Sequence, residues 1–344
     1  MRFVIYGAGS VGSVLGGYLV LAGYDVVLIG RAPHVNQIME RGLSVQDRDG
    51  THTIIVDAAK AVGEISPRVD DVILLCTKSQ NTIDAISALQ EWASAKSPLF
   101  CFQNGVTNEV IASQFFERVY GVQVAIGGRY IAPGRVAHYA SRAVALGCYP
   151  AGLDDQVTTV GAALQAAGCE VTYSPNVMAV KWSKLIINSC NAFYALTGLS
   201  IPEAHRNLES REVLADIMEE GVRVLEAVGI EYQSLPGRST LHEEIDRLRE
   251  PEPVQPWPDD PDSDYYPSTW QDLQLKRGVT ETAFFNGELI TLGKQSGVPT
   301  PYNQLLMELV EEMAAACEPP GKYTIAELRA MAMPACDIPR STSA

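Results

Sequence analysis

The chain has 344 residues, 47% of them hydrophobic, and a formal net charge of −15. This length is sufficient for two domains, each with its own buried core. The acidic charge argues against nucleic acid and anionic membrane surfaces as partners, because both are bound through clustered Lys and Arg.

The seven cysteines are scattered along the chain and include no Cys-x-x-Cys pair. We therefore expect a reducing compartment, with neither a disulfide framework nor a metal site. The N-terminus has the pattern of a strand rather than a signal peptide, and no apolar run reaches membrane-spanning length. These features predict a cytoplasmic protein.

The first predicted elements are a strand and a helix joined by a glycine-rich turn. Phe3–Tyr6 is a short apolar run, followed by Gly7-Ala8-Gly9-Ser10-Val11-Gly12 and a helical pattern of apolar residues. This order is typical of Rossmann-type dinucleotide-binding domains. There Gly7 would make the tight turn, Gly9 would let the backbone approach a pyrophosphate, and Gly12 would let the helix pack closely on the strand.

The first turn of this helix is the predicted phosphate-binding site. Its N–H groups, at residues such as Ser10 and Val11, have no acceptor within the helix and favour an anion together with the helix dipole. The alternative is a glycine-rich connection that binds no ligand.

The end of the second predicted strand, Asp25 to Arg31, bears on the choice of dinucleotide. A protein that selects NAD carries Asp or Glu there to hold the ribose 2′-hydroxyl. Here Gly30 and Arg31 occupy this place, and the next carboxylate is Glu40. An arginine can pair with a 2′-phosphate, so Arg31 favours NADP; the alternative is a solvated arginine.

Two polar loops follow buried apolar runs. The run 71–76 leads into a loop containing Lys78, and the run 99–102 leads into Gln103-Asn104-Gly105. Ligands of open α/β sheets bind at the carboxyl ends of strands, so Lys78 and Asn104 are candidate ligand-binding residues. The alternatives are a solvated lysine and an Asn-Gly turn.

Strands give way to long helical patterns near residue 175. The sequence predicts a helix with Ile83, Ile86, Leu89 and Trp92 on one side. Further strands are predicted at 53–56, 119–125, 135–139, 143–146 and 170–173, and further helices at 177–192, 210–228, 239–249, 281–292 (ended by Gly293) and, last, 303–316. We therefore predict an α/β fold with a dinucleotide-binding domain over residues 1–175, an all-helical domain over residues 176–336 and a polar tail over residues 337–344.

Three polar residues mark the first helix of the second half. Lys184, Asn188 and Asn191 are spaced to share one face of an otherwise apolar helix. Buried polar groups need partners, so these residues either line a cleft or form a solvated stripe. Farther on, the acidic, proline-rich stretch 250–264 is either a surface loop or a segment that covers the cleft and shapes substrate choice.

Taken in order, these motifs resemble the ketopantoate reductase family from Met1 to about Ala330. The motifs are the glycine turn, Arg31, Thr77-Lys78, Gln103-Asn104-Gly105, Lys181-Trp182-Ser183-Lys184-Leu185 with Asn188, Ser268-Thr269-Trp270-Gln271-Asp272, Thr280-Glu281 with Asn286-Gly287, and Val298-Pro299-Thr300-Pro301-Tyr302-Asn303. Members of this family reduce a 2-oxo acid to a 2-hydroxy acid with NADPH held between a Rossmann domain and a helical domain.

The resemblance implies a role for each candidate residue. Lys184 matches the catalytic lysine, which meets the negative charge that develops on the carbonyl oxygen. Glu281 matches the carboxylate that holds the substrate hydroxyl. The other matches are Asn104 and Asn188 to amides that orient substrate and lysine, Ser268 to a residue near the substrate carboxylate, Asn191 to a second family asparagine, and Arg31 and Lys78 to groups near the cofactor 2′-phosphate. A homodimer formed through the helical domain is also implied.

Departures from the family pattern leave the substrate open. The segment after Asn188 is two residues longer than usual, one residue is inserted between Asp272 and Glu281, and the stretch before Ser268 is extended. Two alternatives to a 2-oxo acid reductase are an imine or opine-forming reductase on the same scaffold and a non-catalytic NADP(H) sensor. The presence of Lys184 and Glu281 argues against a sensor, which needs only the glycine motif.

Overall fold

The computed structural model describes residues 1–138, 141–252 and 265–332. The chain folds into two compact units, Met1–Lys181 and the part from Trp182 onward. The predicted tail and most of the proline-rich stretch lie outside the described residues.

The first unit is built on a mostly parallel sheet. Its strands are β1 (Arg2–Tyr6), β2 (Asp25–Ile29), β3 (Leu43–Asp47), β4 (Gly50–Ile54), β5 (Asp57–Ala59), β6 (Asp71–Leu75), β7 (Leu99–Cys101), β8 (Val119–Ile126), β9 (Arg129–Ala132), β10 (Arg135–Ala137), β11 (Arg142–Cys148) and β12 (Glu170–Tyr173). Its helices are α1 (Ser10–Leu21), α2 (Ala32–Arg41), α3 (Thr82–Trp92), α4 (Asn108–Ala112), α5 (Asp155–Ala166) and the start of α6 (Val177–Ser189).

The strand order of the main sheet places the glycine turn at a switch point. The order is β12-β11-β8-β7-β6-β1-β2-β5, and a smaller sheet has the order β4-β3-β10-β9. The strands from β5 to β8 in this order are parallel, and only β11 runs antiparallel to its neighbour β8. The chain order reverses at β1, which pairs with β2 on one side and β6 on the other. Such a reversal opens a crevice at the carboxyl ends of the strands.

The described part of the second unit contains helices and no strand. After α6 come α7 (Asn191–Thr197), α8 (Ile201–Arg206), α9 (Leu208–Val228), α10 (Leu241–Arg249), α11 (Ser268–Gln274), α12 (Asn286–Ser296), α13 (Pro301–Ala315) and α14 (Ile325–Ala332). Fully buried Phe193, Leu289, Leu306 and Val310 belong to its core. The predicted fold class, a Rossmann-type domain followed by helices, is confirmed.

Several predicted elements of the first unit were wrong in detail. The strand predicted at 53–56 is β4, which ends at Ile54, and β3, β5 and β9 were not predicted. Most of these strands are short and half-exposed, so they carry no continuous apolar run. Ile83 was assigned to the apolar side of α3 but is 66% exposed, because the buried face comprises Thr82, Ala85, Ile86 and Leu89.

Three predicted helices of the second unit also differ. The helix predicted at 177–192 is interrupted, since α6 ends at Ser189 and α7 begins at Asn191. The helix predicted at 281–292 starts later, at Asn286, after a 3-10 turn. It continues past Gly293 and ends at Ser296, and Gly297, whose φ is +74°, is its C-cap. The helix predicted as the last one, α13, is followed by α14.

Among the described residues, no helix combines the length and apolar character needed to cross a membrane. The same residues contain no cluster of three or more His, Cys, Asp or Glu side chains placed to hold a metal ion.

Candidate functional site

The three glycines of the first turn have different surroundings. Gly7 has a φ of +112°, and a Cβ atom there would lie 2.7 Å from the Thr77 nitrogen. A Cβ at Gly12 would lie 2.3 Å from the Gly7 carbonyl oxygen, so α1 starts close against the turn. A Cβ at Gly9 would have no neighbour within 4 Å. Gly7 and Gly12 are therefore required by packing, whereas the backbone at Gly9 is open to a ligand.

The N-terminus of α1 can accept an anion. Its N-cap is Gly9, which has no side chain, and the first turn contains no acidic residue. Ser13 donates its N–H to the Gly9 carbonyl over 3.0 Å and is the first residue with an acceptor inside the helix. The preceding N–H groups of Ser10, Val11 and Gly12 have no such acceptor. These residues fit the pyrophosphate of a dinucleotide.

Arg31 lies at the end of the neighbouring strand. A Cβ at Gly30 would lie 2.8 Å from the Ala8 Cβ, so β2 ends in close contact with the glycine turn. Arg31 is exposed and is the N-cap of α2, whose first turn contains no acidic side chain. This place therefore offers a cation and a helix N-terminus whose first turn carries no carboxylate.

The loops after β6 and β7 are joined by a buried amide. Gln103, which is 3% exposed, donates from Nε2 to the Thr77 carbonyl over 2.9 Å and to the Thr82 hydroxyl over 2.8 Å. Partly exposed Lys78 lies between these two acceptors in the chain. Because β6 and β7 are adjacent, the two predicted ligand-binding loops are held side by side.

Asn104 has a fixed backbone and a partly exposed side chain. Its carbonyl accepts hydrogen bonds from the Ser79 hydroxyl over 3.0 Å and from Asn108 Nδ2 over 2.8 Å. Gly105 follows with a φ of +82°. The sheet edge thus presents Asn104, Lys78, the glycine turn and Arg31 after the adjacent strands β7, β6, β1 and β2.

In the second unit, Lys184 and Asn188 lie one turn apart on α6. Burial and, secondly, the charge of Arg238 lower the pKa of Lys184 to about 8. Asn188 is 6% exposed, and its Nδ2 group has no acceptor among the described residues. A buried donor without an acceptor is available to a ligand or an ordered water.

The remaining predicted residues lie on other elements. Asn191 is the first residue of α7, so it does not share a helix with Lys184, and the predicted common helix face is wrong at this position. Ser268 is the first residue of α11. Glu281 is 6% exposed and lies directly before the 3-10 turn, where its carbonyl accepts from the Phe284 N–H over 2.9 Å.

The backbone at the break between α6 and α7 is held by a side chain from α12. Asn286 donates from Nδ2 to the Ser189 carbonyl over 2.9 Å, and the same group contacts Asn303 Oδ1 at 2.9 Å. The last carbonyl of α6 is therefore satisfied by α12 rather than by a following helical turn. The sequence identifies Asn286 and Asn303 only as parts of motifs, and the structure shows that they hold the end of the helix that carries Lys184.

Two charged residues near these loops were missed. Lys181 is 3% exposed and forms an ion pair with fully buried Glu109. Burial raises the pKa of the Glu109 carboxyl, and the charge and hydrogen bond of Lys181 oppose this shift. The available signal was a lysine on the buried face of an apolar helix, which requires a partner.

Comparison with known proteins places the chain among reductases. The family model described as ketopantoate reductase PanE/ApbA matches residues 3–151, and the model of its C-terminal domain matches residues 176–314. A 2-dehydropantoate 2-reductase of Pyrococcus abyssi is 30% identical over 312 residues, which cover 90% of this chain and 97% of the relative.

This chain belongs to the ketopantoate reductase family. A solved PanE/ApbA family ketopantoate reductase from Ralstonia eutropha JMP134 is similar, with a TM-score of 0.78, 29% identity and coverage of 92% of this chain and 99% of that one. A D-mandelate dehydrogenase solved with NADH and anilino(oxo)acetate is similar, with a TM-score of 0.79, 26% identity and the same coverage. The family and the names of these relatives support an oxidoreductase of the ketopantoate reductase type.

Proposed function

We propose that this protein reduces a 2-oxo acid to the 2-hydroxy acid with NADPH and that Lys184 is the general acid. The observation that carries the proposal is the Lys184 amine, whose pKa is lowered to about 8 on the helix that also presents the Asn188 amide. An acid with a pKa near the working pH donates its proton most effectively.

The proposed cofactor site is formed by Gly7, Gly9, Gly12, Arg31 and Lys78. The open backbone at Gly9 and the uncapped start of α1 suit the pyrophosphate, and Arg31 suits a 2′-phosphate. When bound, NADPH supplies the hydride. Since the similar D-mandelate dehydrogenase was solved with NADH, the preference for NADPH is the part of this proposal that most needs measurement.

The chain's own residues would supply the proton and the substrate contacts. Lys184 gives its proton to the carbonyl oxygen as negative charge develops there. By family resemblance, Glu281 holds the substrate hydroxyl, and Asn104 and Asn188 orient substrate and lysine. By the same resemblance, we propose that Ser268 lies near the substrate carboxylate and that Asn191 is a candidate for the second family asparagine.

We consider two classes of 2-oxo acid. Ketopantoate is favoured by the curated relatives, which are named 2-dehydropantoate 2-reductases. An aromatic 2-oxo acid is favoured by the similarity to D-mandelate dehydrogenase, since oxidation of mandelate gives such an acid. We further propose that the protein forms a homodimer through its helical domain, as the family resemblance implies.

The test is NADPH oxidation with ketopantoate, phenylglyoxylate and small aliphatic 2-oxo acids, followed by absorbance. Lys184→Ala should lose turnover and keep its affinity for NADPH, while Lys294→Ala, an exposed lysine on α12, should behave as wild type. Turnover that survives in Lys184→Ala would contradict its role as the acid. Turnover only when an amine is added would identify an imine reductase, and NADPH binding without turnover of any substrate would favour a sensor.

A further inference from the structure

We propose that Lys181 and Glu109 are positioning residues: their buried ion pair holds the Gln103 carbonyl and thereby fixes the backbone of Asn104. The catalytic consequence rests on the proposed function. The contact itself does not, since Lys181, Glu109 and the Gln103 loop all belong to the first unit.

The contact is fully enclosed. The side chains of Lys181 and Glu109 are 2% and 0% exposed. Lys181 Nζ donates to Glu109 Oε1 and also to the Gln103 carbonyl oxygen, over 3.0 Å. An ammonium group has three donors, so one lysine can bind a carboxylate and a carbonyl together. The pair therefore connects α4 and α6 to the loop after β7.

Stability alone is a poor explanation for this arrangement. Removing two charges from water is costly, and replacing a buried pair by apolar side chains of similar volume is often neutral or stabilising. Such a replacement would, however, leave the Gln103 carbonyl without its charged donor. The particular contribution of Lys181 is thus the geometry of this carbonyl rather than the free energy of unfolding.

Peptide planarity transmits that geometry to Asn104. The Gln103 carbonyl and the Asn104 N–H belong to one rigid peptide plane, so holding the oxygen fixes the orientation of the following residue. The next carbonyl, that of Asn104, is held by Ser79 and Asn108. Asn104 therefore has a fixed peptide on each side, and its side chain starts from a defined position.

The position of Lys181 in the sequence adds to the argument. It precedes Lys184 by three residues on α6, so the two side chains leave the same helix about one turn apart. The charge of Lys181 is paired with the Glu109 carboxylate within the first unit. For Lys184, the causes of the lowered pKa are burial and the positive charge of Arg238, and they include no carboxylate. One lysine is thereby suited to hold a loop and the other to exchange a proton.

The test is the double variant Lys181→Met/Glu109→Leu, which removes the pair without leaving a buried charge. A second variant, Lys181→Arg with Glu109 retained, should keep a charged donor to the Glu109 carboxylate and to the Gln103 carbonyl. The matched control is Arg2→Met/Asp71→Leu, which removes another ion pair, whose two atoms lie 2.7 Å apart. Arg2 and Asp71 are the first residues of β1 and β6, so this pair lies at the strand ends away from the glycine turn. Each variant is assayed for Tm, NADPH affinity, kcat, KM and amide hydrogen exchange of residues 102–106.

The double variant should exchange faster at residues 102–106 and lose about 10- to 100-fold in kcat, as expected for a slightly misplaced catalytic group. NADPH affinity and Tm should stay near the values of the control, and Lys181→Arg should recover most of kcat. Unchanged exchange at residues 102–106 would overturn the proposal, as would a kcat loss no larger than that of the control.

The same experiment separates this inference from the proposed function. If the wild-type protein reduces no 2-oxo acid, the proposed function fails, while the exchange comparison still decides whether Lys181 holds the loop. If the wild type is active and exchange rises without a loss of kcat, the contact exists and its positioning role is refuted.

Discussion

Replacing Lys184 by Met should stabilise the protein while abolishing reduction. Methionine keeps a long, unbranched side chain on α6 and removes the ammonium group. In the folded chain that group is desolvated and repelled by Arg238, which lowers its pKa from 10.5 to about 8. The charged lysine therefore opposes folding, and its removal relieves this cost.

The size of the effect follows from the pKa difference. At about 1.36 kcal/mol for each pH unit, the fall from 10.5 to about 8 corresponds to an upper limit of about 3.4 kcal/mol. The side chain is partly exposed, and solvent screening reduces the contribution. We expect Lys184→Met to raise the free energy of unfolding by about 1–2 kcal/mol at pH 7.

The pH dependence gives the decisive signature. Below pH 8 both the folded and the unfolded chain carry the charged lysine, so the full cost is present. Between pH 8 and 10.5 the folded chain binds fewer protons than the unfolded chain, and wild-type stability rises with pH. The advantage of Lys184→Met should therefore shrink across this window.

Urea unfolding at pH 7, 8.5 and 10 measures this difference. Lys294→Met, at an exposed position of α12, controls for the added methionine and should show no pH-dependent difference from wild type. A Lys184→Met variant that is less stable than wild type, or equally shifted at every pH, would refute a desolvated amine at this position.

Three further predictions concern activity, cofactor choice and stability. The kcat/KM for reduction should fall as pH rises through about 8, because Lys184 loses its proton, and Arg238→Gln should move this limb to higher pH. Arg31→Ala should weaken NADPH binding about 5- to 50-fold and leave NADH binding unchanged. Titrations of both nucleotides measure this, with Arg41→Ala, at the other end of α2, as the control. Burial raises the pKa of Glu220 to about 7. Between pH 4.5 and 7 the folded chain therefore binds more protons than the unfolded chain, and the free energy of unfolding should decrease as the pH rises. Urea unfolding of Glu220→Gln should lack this decrease.

The sequence alone was sufficient to predict the sheet edge that carries the glycine motif. Phe3–Tyr6 and the run 71–76 are buried on both faces, so they appear as continuous apolar segments whose ends are sharp. The glycine turn, Lys78 and Asn104 follow directly from those ends. Position along the chain was therefore enough to place these candidates on adjacent strands.

Longer-range contacts could not be predicted in this way. The end of α6 depends on Asn286, 97 residues beyond Ser189, and the interruption before Asn191 has no local breaker in the sequence. Likewise, Glu109 and Lys181 are separated by 72 residues, and neither belongs to a motif that predicts the other. Such pairs become visible only when the fold brings the elements together.

The two lysines of Lys181-Trp182-Ser183-Lys184 show why residue type alone does not assign a role. Both leave the same helix about one turn apart; Lys181 is 3% exposed, and Lys184 is partly exposed. Lys181 meets a carboxylate and a carbonyl, which compensate its charge and hold it in place. Lys184 meets the positive charge of Arg238, which favours the neutral amine. Burial and, secondly, the charge of Arg238 therefore bring the pKa of Lys184 to about 8, while the carboxylate and the carbonyl give Lys181 a fixed position.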